Sequence, residues 1–223
     1  MDNNRRPIKS RETNLAQKGT NFLIKLKLTP NTISILSICF SLVAAIFILK
    51  LKTTINYMYI LMIILGIQVR LLCNLFDGMV AIQTEKNSPI GELFNEIPDR
   101  VSDTLIILPF GYITELPYSI EIAFIGIFLS LFTAYIRVFG TSLGITTFKG
   151  PMAKQQRMAL VTFLLIIISL LKLINVNLLV IQYVILGMLY SLNIGCIITI
   201  YNRLCIIVRF LHQKEKGKDY ETK

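Results

Sequence analysis

Long apolar stretches separated by short polar segments run through most of the chain. Six of them predict six membrane-spanning helices, because about 20 apolar residues are needed to cross the hydrocarbon core of a bilayer. Their predicted bounds are 33–51, 57–82, 91–113, 120–145, 158–174 and 178–208. Pro30 and Asn31 precede the first stretch, and a proline at this place is typical of a helix start. The pattern predicts an all-α, polytopic membrane protein with six transmembrane helices.

The first 30 residues follow a different pattern, with too few apolar residues to span a membrane. Apolar side chains alternate with lysines around Phe22, Leu23 and Leu26. This pattern predicts a short amphipathic helix that lies on the membrane surface. The predicted organisation is therefore a basic interfacial segment at 1–30, a six-helix transmembrane domain at 31–209 and a charged tail at 210–223.

Composition and charge support a membrane protein and predict its orientation. Of the 223 residues, 54% are hydrophobic and 16% are charged, and the mean hydropathy is +0.64. The net charge of +10 is concentrated towards both ends. Because cytoplasmic segments are enriched in lysine and arginine, both termini and the 83–90 connection are predicted to be cytoplasmic in a cell membrane. The basic ends also suit anionic lipid headgroups. A nucleic-acid partner is not expected, because no folded soluble module with a basic face is evident.

Polar and acidic residues recur at helical spacing in the segment 74–99. Asn74 and Asp77 share one helix face, and Asn95 and Asp99 share another. Each charge within a membrane segment costs roughly 2.5–3.5 kcal/mol on insertion scales, so such residues persist mostly where they have partners or a function. Magnesium prefers carboxylate and amide oxygens and is often held by few carboxylates together with substrate phosphates. The pattern indicates a metal or phosphate site.

The same segment resembles the motif of the CDP-alcohol phosphatidyltransferase family, D-x2-D-G-x2-A-R-x8-G-x3-D-x3-D. The matching positions are Asp77, Gly78, Ala81, Gly91 and Asp99. The chain departs from the motif at three positions, which are Asn74, Ile82 and Asn95. The Leu-Thr-Pro-Asn before the first span, the six spans and the basic N-terminal helix also resemble the family's architecture. The resemblance thus covers nearly the whole chain.

The resemblance implies transfer of a phosphatidyl or other substituted phosphate group from CDP-diacylglycerol, or a similar CDP-linked donor, to an alcohol. CMP would be released, and the pathway would be phospholipid biosynthesis. A divalent metal, Mg²⁺ or Mn²⁺, and a homodimer are also implied. By position, Asn74, Asp77, Asn95 and Asp99 would be metal ligands, and Asp99 would also deprotonate the alcohol. Because the two asparagines are neutral, a second metal would be less well neutralised.

A basic cluster before the fifth span resembles the family's segment that holds an acceptor phosphate or headgroup. Lys154 and Arg157 are the candidates there, together with Arg137 from the preceding span. The predicted substrate-binding set is completed by Gly78, Ala81 and Gly91, where a missing or small side chain lets phosphates approach the backbone. The alternatives are that Lys149 and Lys154 anchor the cytoplasmic side and that Arg137 pairs with a carboxylate.

Two other functions fit the sequence. A catalytically silent relative with a structural or regulatory role is favoured by the neutral Asn74 and Asn95. A small transporter would use the polar residues within the membrane. Arg70 shares a helix face with Asp77 and is interpreted as a partner of Asp103 or as part of the site.

Overall fold

The computed structural model describes residues 13–84, 91–145 and 150–221, without the side chains of residues 92, 95 and 216–221. Within these ranges the chain forms seven helices and no strand. Their bounds are α1 Asn14–Lys25, α2 Pro30–Lys50, α3 Tyr57–Gln83, α4 Gly91–Ile113, α5 Ser119–Ser142, α6 Lys154–Leu173 and α7 Leu178–Glu221. The all-α prediction is confirmed.

Five of these helices, α2, α3, α5, α6 and α7, are long and apolar enough to cross a membrane. The chain is therefore a multi-pass membrane protein. Helix α4 has 23 residues, but its first half carries several charges, among them Glu96, Asp99 and Asp103. A sixth span at α4 thus stays a prediction.

Helix α2 begins where the Thr-Pro-Asn sequence predicts a start. Thr29 is the N-cap, and its hydroxyl accepts a hydrogen bond of 3.2 Å from the Thr32 N–H. Pro30 occupies the first helical position, where its missing N–H costs nothing. This start places Ser34 in the second turn of α2, on the side that faces α3.

The apolar core lies between the long helices. Helix α2 packs on α3 and α4, α5 packs on α4 and α7, and α6 packs on α7 and α3. Ile63, Ile67 and Phe110 are fully buried in this core. Gly66 lets α2 and α3 approach closely, because a Cβ there would lie 2.9 Å from the Phe40 carbonyl oxygen.

Helix α1 lies against α3 and presents an apolar stripe on another side. Ala16 and Thr20 are buried, and the Thr20 hydroxyl contacts the Met79 sulfur at 3.6 Å. Leu15 and Phe22 remain 82% and 61% exposed. A short helix with a basic face and an exposed apolar stripe beside a membrane bundle is typical of the lipid–water interface. The predicted amphipathic helix is therefore present, and its position on the membrane surface stays a prediction.

Four helix ends differ by three residues or more from those predicted by the apolar stretches. Helix α2 begins at Pro30 rather than at 33, α6 begins at Lys154 rather than at 158, α5 ends at Ser142 rather than at 145, and α7 continues to Glu221 rather than to 208. Hydropathy marks the part of a helix that contacts lipid, whereas the backbone hydrogen bonds continue into polar sequence. As a result Lys154 and Arg157 lie in the first turn of α6, three residues apart and on one side.

Candidate active site

Helices α2 and α3 together hold the first motif carboxylate. Asp77 in α3 is buried, with 6% of its surface exposed. The Ser34 hydroxyl of α2 donates a hydrogen bond of 2.7 Å to Asp77 Oδ2. Asn74, three residues earlier in α3, is half-buried, and its amide nitrogen has no hydrogen-bond partner among the described residues. A fixed carboxylate and an unsatisfied amide thus lie next to each other.

The second motif carboxylate, Asp99 in α4, is surrounded by cations. Its Oδ2 lies 2.5 Å from Lys154 Nζ and 3.7 Å from Arg100 Nη2. Its Oδ1 lies 3.8 Å from Arg70 Nη2 and is buried without a hydrogen bond to any described residue. One carboxylate oxygen is therefore engaged, while the other is available to a further partner.

Asp103, four residues after Asp99, makes a second set of ion pairs. Its Oδ1 lies 2.8 Å from Arg70 Nη2, and its Oδ2 lies 2.6 Å from Arg157 Nη2. The pairs Asp99–Lys154 and Asp103–Arg157 thus connect α4 to α6 at two successive levels, and we call them the α4–α6 ladder. Removing one partner of such a buried pair typically costs about 3–5 kcal/mol, because a charge is left uncompensated. The structure confirms the interpretation of Arg70 as a partner of Asp103.

The chain before α6 is held by α7, and this contact positions Lys154. The Met152 N–H donates a hydrogen bond of 2.9 Å to Thr199 Oγ1, and this hydroxyl in turn donates to the Gly195 carbonyl at 2.7 Å. A Cβ on Gly150 would lie 2.8 Å from Thr199 Oγ1, so the segment fits only because this residue is glycine. The Lys154–Asp99 contact therefore depends on three helices, α4, α6 and α7.

Arg137 in α5 pairs with a carboxylate, which is the alternative that the sequence left open. Its Nη2 contacts Glu96 Oε1, and Arg100 Nη2 lies 3.9 Å from the other oxygen of Glu96. The Arg137 side chain is 43% exposed. These residues form a rim beside Asp99, and binding of a phosphate by Arg137 stays a prediction.

The structure brings together most of the predicted site residues. Asp99 and Lys154 lie close enough to Asp77 for their charges to act on it. Arg157 supports them from the next level of the ladder. The side chain of the predicted ligand Asn95 lies outside the described part of the structure, and so does the whole of Lys149.

The three small predicted residues lie on the same two helices. Gly78 and Ala81 follow Asp77 in α3, and Gly91 is the first residue of α4. A Cβ on Gly91 would meet no described heavy atom within 4 Å, so the space beside it is open. A metal or phosphate role for these positions stays a prediction.

Sequence reasoning missed several contacts of the site. Ser34 holds Asp77, Lys154 contacts Asp99, and Glu96 is the carboxylate that neutralises Arg137. The only sequence signal for Ser34 is its place one turn after Pro30 in an apolar helix. Its partner follows from how α2 packs on α3, which no local pattern encodes.

The charge of the site favours an anionic ligand. Among the described side chains, five cationic ones face four anionic ones, and they are Arg70, Arg100, Arg137, Lys154 and Arg157 against Asp77, Glu96, Asp99 and Asp103. In the described part of the chain, no three His, Cys, Asp or Glu side chains are grouped to hold a metal ion. A divalent cation would need further oxygens, such as those of an amide or a bound phosphate.

A family model defines the class of this protein. The model for CDP-alcohol phosphatidyltransferase matches residues 27–201. The chain therefore belongs to the CDP-alcohol phosphatidyltransferase family, and the resemblance seen in the sequence motif is confirmed.

A curated relative is the inner membrane protein YnbA of Escherichia coli, which is 24% identical over 137 residues. That match covers 61% of this chain and 66% of the length of the relative. The fold is similar to that of Mycobacterium tuberculosis phosphatidylinositol phosphate synthase PgsA1 with CDP-DAG bound, with a TM-score of 0.66 and 16% identity over 84% of this chain and 90% of that one. The same synthase in complex with manganese and citrate also gives a TM-score of 0.66 and 16% identity, over 84% and 86% of the two chains. At this identity the likeness concerns the fold.

Proposed function

We propose that this chain transfers a phosphatidyl or other substituted phosphate group from CDP-diacylglycerol, or a similar CDP-linked donor, to an alcohol acceptor in phospholipid biosynthesis. CMP is the leaving group. The observation that carries the proposal is that Asp77 and Asp99, at the spacing of the family motif, are buried on the consecutive helices α3 and α4, with the Lys154 ammonium on Asp99. The structure of PgsA1 with CDP-DAG bound, which has a similar fold, supports the choice of donor.

The site residues fit a divalent cation, Mg²⁺ or Mn²⁺. Asp99 Oδ1 is buried without a hydrogen bond to any described residue, and Asn74 provides an amide next to Asp77. Carboxylate and amide oxygens are the ligands that these hard cations prefer. The manganese complex of PgsA1 supports a divalent metal. When bound, the cation offsets charge that develops on the phosphate of the departing CMP.

Asp99 is the proposed base for the attacking alcohol. A carboxylate can accept this proton when the hydroxyl is within hydrogen-bond distance. Lys154 and Arg70 lie beside Asp99, and a carboxylate next to a bound divalent cation would be a weak base on its own. Positioning of the alcohol must therefore supply much of the rate. Lys154 and Arg157 present positive charge to a donor or acceptor phosphate, while Gly78, Ala81 and Gly91 leave room for it.

The proposed orientation places both termini and the Asp77–Asp99 site on the cytoplasmic side. The basic residues of the termini support this orientation. The proposed organisation keeps an interfacial segment at 1–30, a transmembrane domain at 31–209 and a tail at 210–223. A homodimer is proposed on the family resemblance, and cross-linking of the protein in native membranes tests it.

The experiment is CMP release by the purified full-length protein, supplied with CDP-diacylglycerol and a panel of alcohols. Mg²⁺, Mn²⁺ and EDTA are compared. We expect metal-dependent release that requires one class of alcohol and is abolished in Asp99→Asn. Glu115→Gln is the matched control, because Glu115 is an exposed carboxylate in the connection between α4 and α5, and its release should equal that of the wild type.

Full activity in Asp99→Asn would remove this residue as the base. The neutral Asn74 and the Lys154–Asp99 ion pair favour one second candidate, a catalytically silent relative with a regulatory role. If the protein binds CDP-diacylglycerol but releases no CMP with any alcohol of the panel, the regulatory relative would replace the transferase as the proposed function.

A further inference from the structure

The two carboxylates described at the site differ in how far they are already neutralised. Asp77 Oδ2 accepts a hydrogen bond from the neutral Ser34 hydroxyl. Asp99 Oδ2 instead forms an ion pair with Lys154 Nζ at 2.5 Å, and Arg100 Nη2 lies 3.7 Å away. The other oxygen, Asp99 Oδ1, has no hydrogen bond to the described residues and lies 3.8 Å from Arg70 Nη2. Asp99 thus has one oxygen without a hydrogen bond to offer to a metal.

The ammonium on Asp99 is held by its surroundings. Arg157, one turn further along α6, is fixed by Asp103 at 2.6 Å and by the Met152 carbonyl at 3.0 Å. Asp103 is itself held by the fully buried Arg70. Since α6 is fastened to α4 at this second level, Lys154 cannot withdraw from Asp99 by a movement of the whole helix.

We infer that Lys154 acts as a built-in cation of the site and restricts it to a single divalent ion. This inference rests on the proposed function, and it assigns the second positive charge of the site to a side chain of the protein. The physical reason is charge balance. Asp77 and Asp99 carry two negative charges, of which Lys154 already offsets one, so a second divalent cation would have no described anionic side chain left to neutralise it in this buried part of the site. One divalent ion and Lys154 leave the site positive enough for a diphosphate.

The test is titration of Mn²⁺ into the full-length protein in phosphatidylcholine nanodiscs, followed by electron paramagnetic resonance. The wild type should bind one Mn²⁺ per chain, with the spectrum of an isolated ion. Lys154→Met should bind Mn²⁺ at least about tenfold more tightly, because a repelling charge beside the ion is removed. Lys154→Met combined with Asn74→Asp should bind two ions with a spin-coupled spectrum.

Lys154→Arg is the matched control, because it keeps the charge and should keep one ion with nearly wild-type affinity. Lys214→Met, in the exposed tail, controls for loss of a distant lysine. Two Mn²⁺ ions or none in the wild type, or equal affinities in Lys154→Met and Lys154→Arg, would overturn the inference. Thermal unfolding of each variant shows whether it is folded. If Lys154→Met does not fold, the number of Mn²⁺ ions bound by the wild type and by Lys154→Arg tests the inference instead.

Failure of this inference differs from failure of the proposed function. CMP release by a protein that binds two Mn²⁺ ions would refute the role of Lys154 and keep the transferase. Binding of one Mn²⁺ ion without CMP release would keep the role of Lys154 and refute the transferase.

Discussion

Asp77 is oriented by one side chain, the Ser34 hydroxyl of the neighbouring helix. A hydroxyl inside an apolar helix can always bond to the preceding turn, and Ser34 also lies 3.1 Å from the Pro30 carbonyl. The shorter contact, at 2.7 Å, is to the carboxylate. Ser34 is therefore a positioning residue for Asp77.

Ser34→Ala should lower the rate of CMP release about tenfold, because a hydrogen bond to a charged group is worth roughly 1.5–3 kcal/mol. Ser37→Ala is the matched control. Ser37 is equally buried in α2, but its hydroxyl donates only to the Ser34 carbonyl of its own helix. Initial rates of both variants provide the measurement, and equal rates would exclude a role of Ser34 in positioning Asp77.

Some contacts among the candidate residues follow from the sequence. Helix periodicity places Asn74 on the same face as Asp77, and the cost of an unpaired charge in a membrane made Asp103 a candidate partner of Arg70. The Lys154–Asp99 contact was not predictable in the same way. It joins residues 55 positions apart, and it depends on how the segment before α6 packs on Thr199 of α7.

Helices α2 and α3 pack closely, and Gly66 makes this contact possible. Ala44 of α2 lies 3.0 Å from the place that a Cβ on Gly66 would take. Both neighbours of that Cβ, a backbone oxygen and a short side chain, are unable to move aside. The pairing of Ser34 with Asp77 depends on this close approach.

Gly66→Val should destabilise the protein by about 1–3 kcal/mol, the usual cost of overpacking a core. Gly187→Val in α7 is the matched control, because a Cβ there would meet no described atom within 4 Å. Thermal unfolding in detergent compares the two variants. An unfolding midpoint of Gly66→Val equal to that of Gly187→Val would show that α2 and α3 have room to separate.

The helix ends show where prediction from hydropathy stops. The bounds of α3 and α4 were predicted within one residue, because polar segments border their sequences on both sides. Helix α6 was predicted four residues too short at its start, since Lys154 and Arg157 are charged residues that hydropathy assigns to a loop. Their ion pairs with α4 stabilise the additional turn.

The two ends of the molecule carry their lysines in different settings. At the end opposite the site, three lysines lie over aromatic rings, with Lys50 5.2 Å from the centre of Phe47, Lys52 4.6 Å from Tyr112 and Lys172 5.0 Å from Tyr57. Aromatic residues mark the membrane–water interface, and cations are attracted to their faces. These contacts indicate where the bundle leaves the membrane.

Cysteine labelling tests the proposed orientation of the whole molecule. In a background where the four native cysteines are replaced, Glu115→Cys should react with a membrane-impermeant maleimide on intact cells. His212→Cys should react only after permeabilisation, because the basic tail is proposed to be cytoplasmic. Both native residues are exposed, so accessibility of the side chain is matched. The reverse labelling pattern would invert the orientation and move the site to the other side.

The α4–α6 ladder has a mechanical consequence. Its two ion pairs are one helical turn apart, and both helices run in the same direction through them. A slide of α6 by part of a turn would therefore break both pairs at once. The free energy lost with the two ion pairs opposes any small shift of α6 along α4. A slide by a full turn, about 5.4 Å, would bring Arg157 to Asp99 but would leave the buried Asp103 without Arg157. The ladder therefore holds α6 in a single register relative to α4.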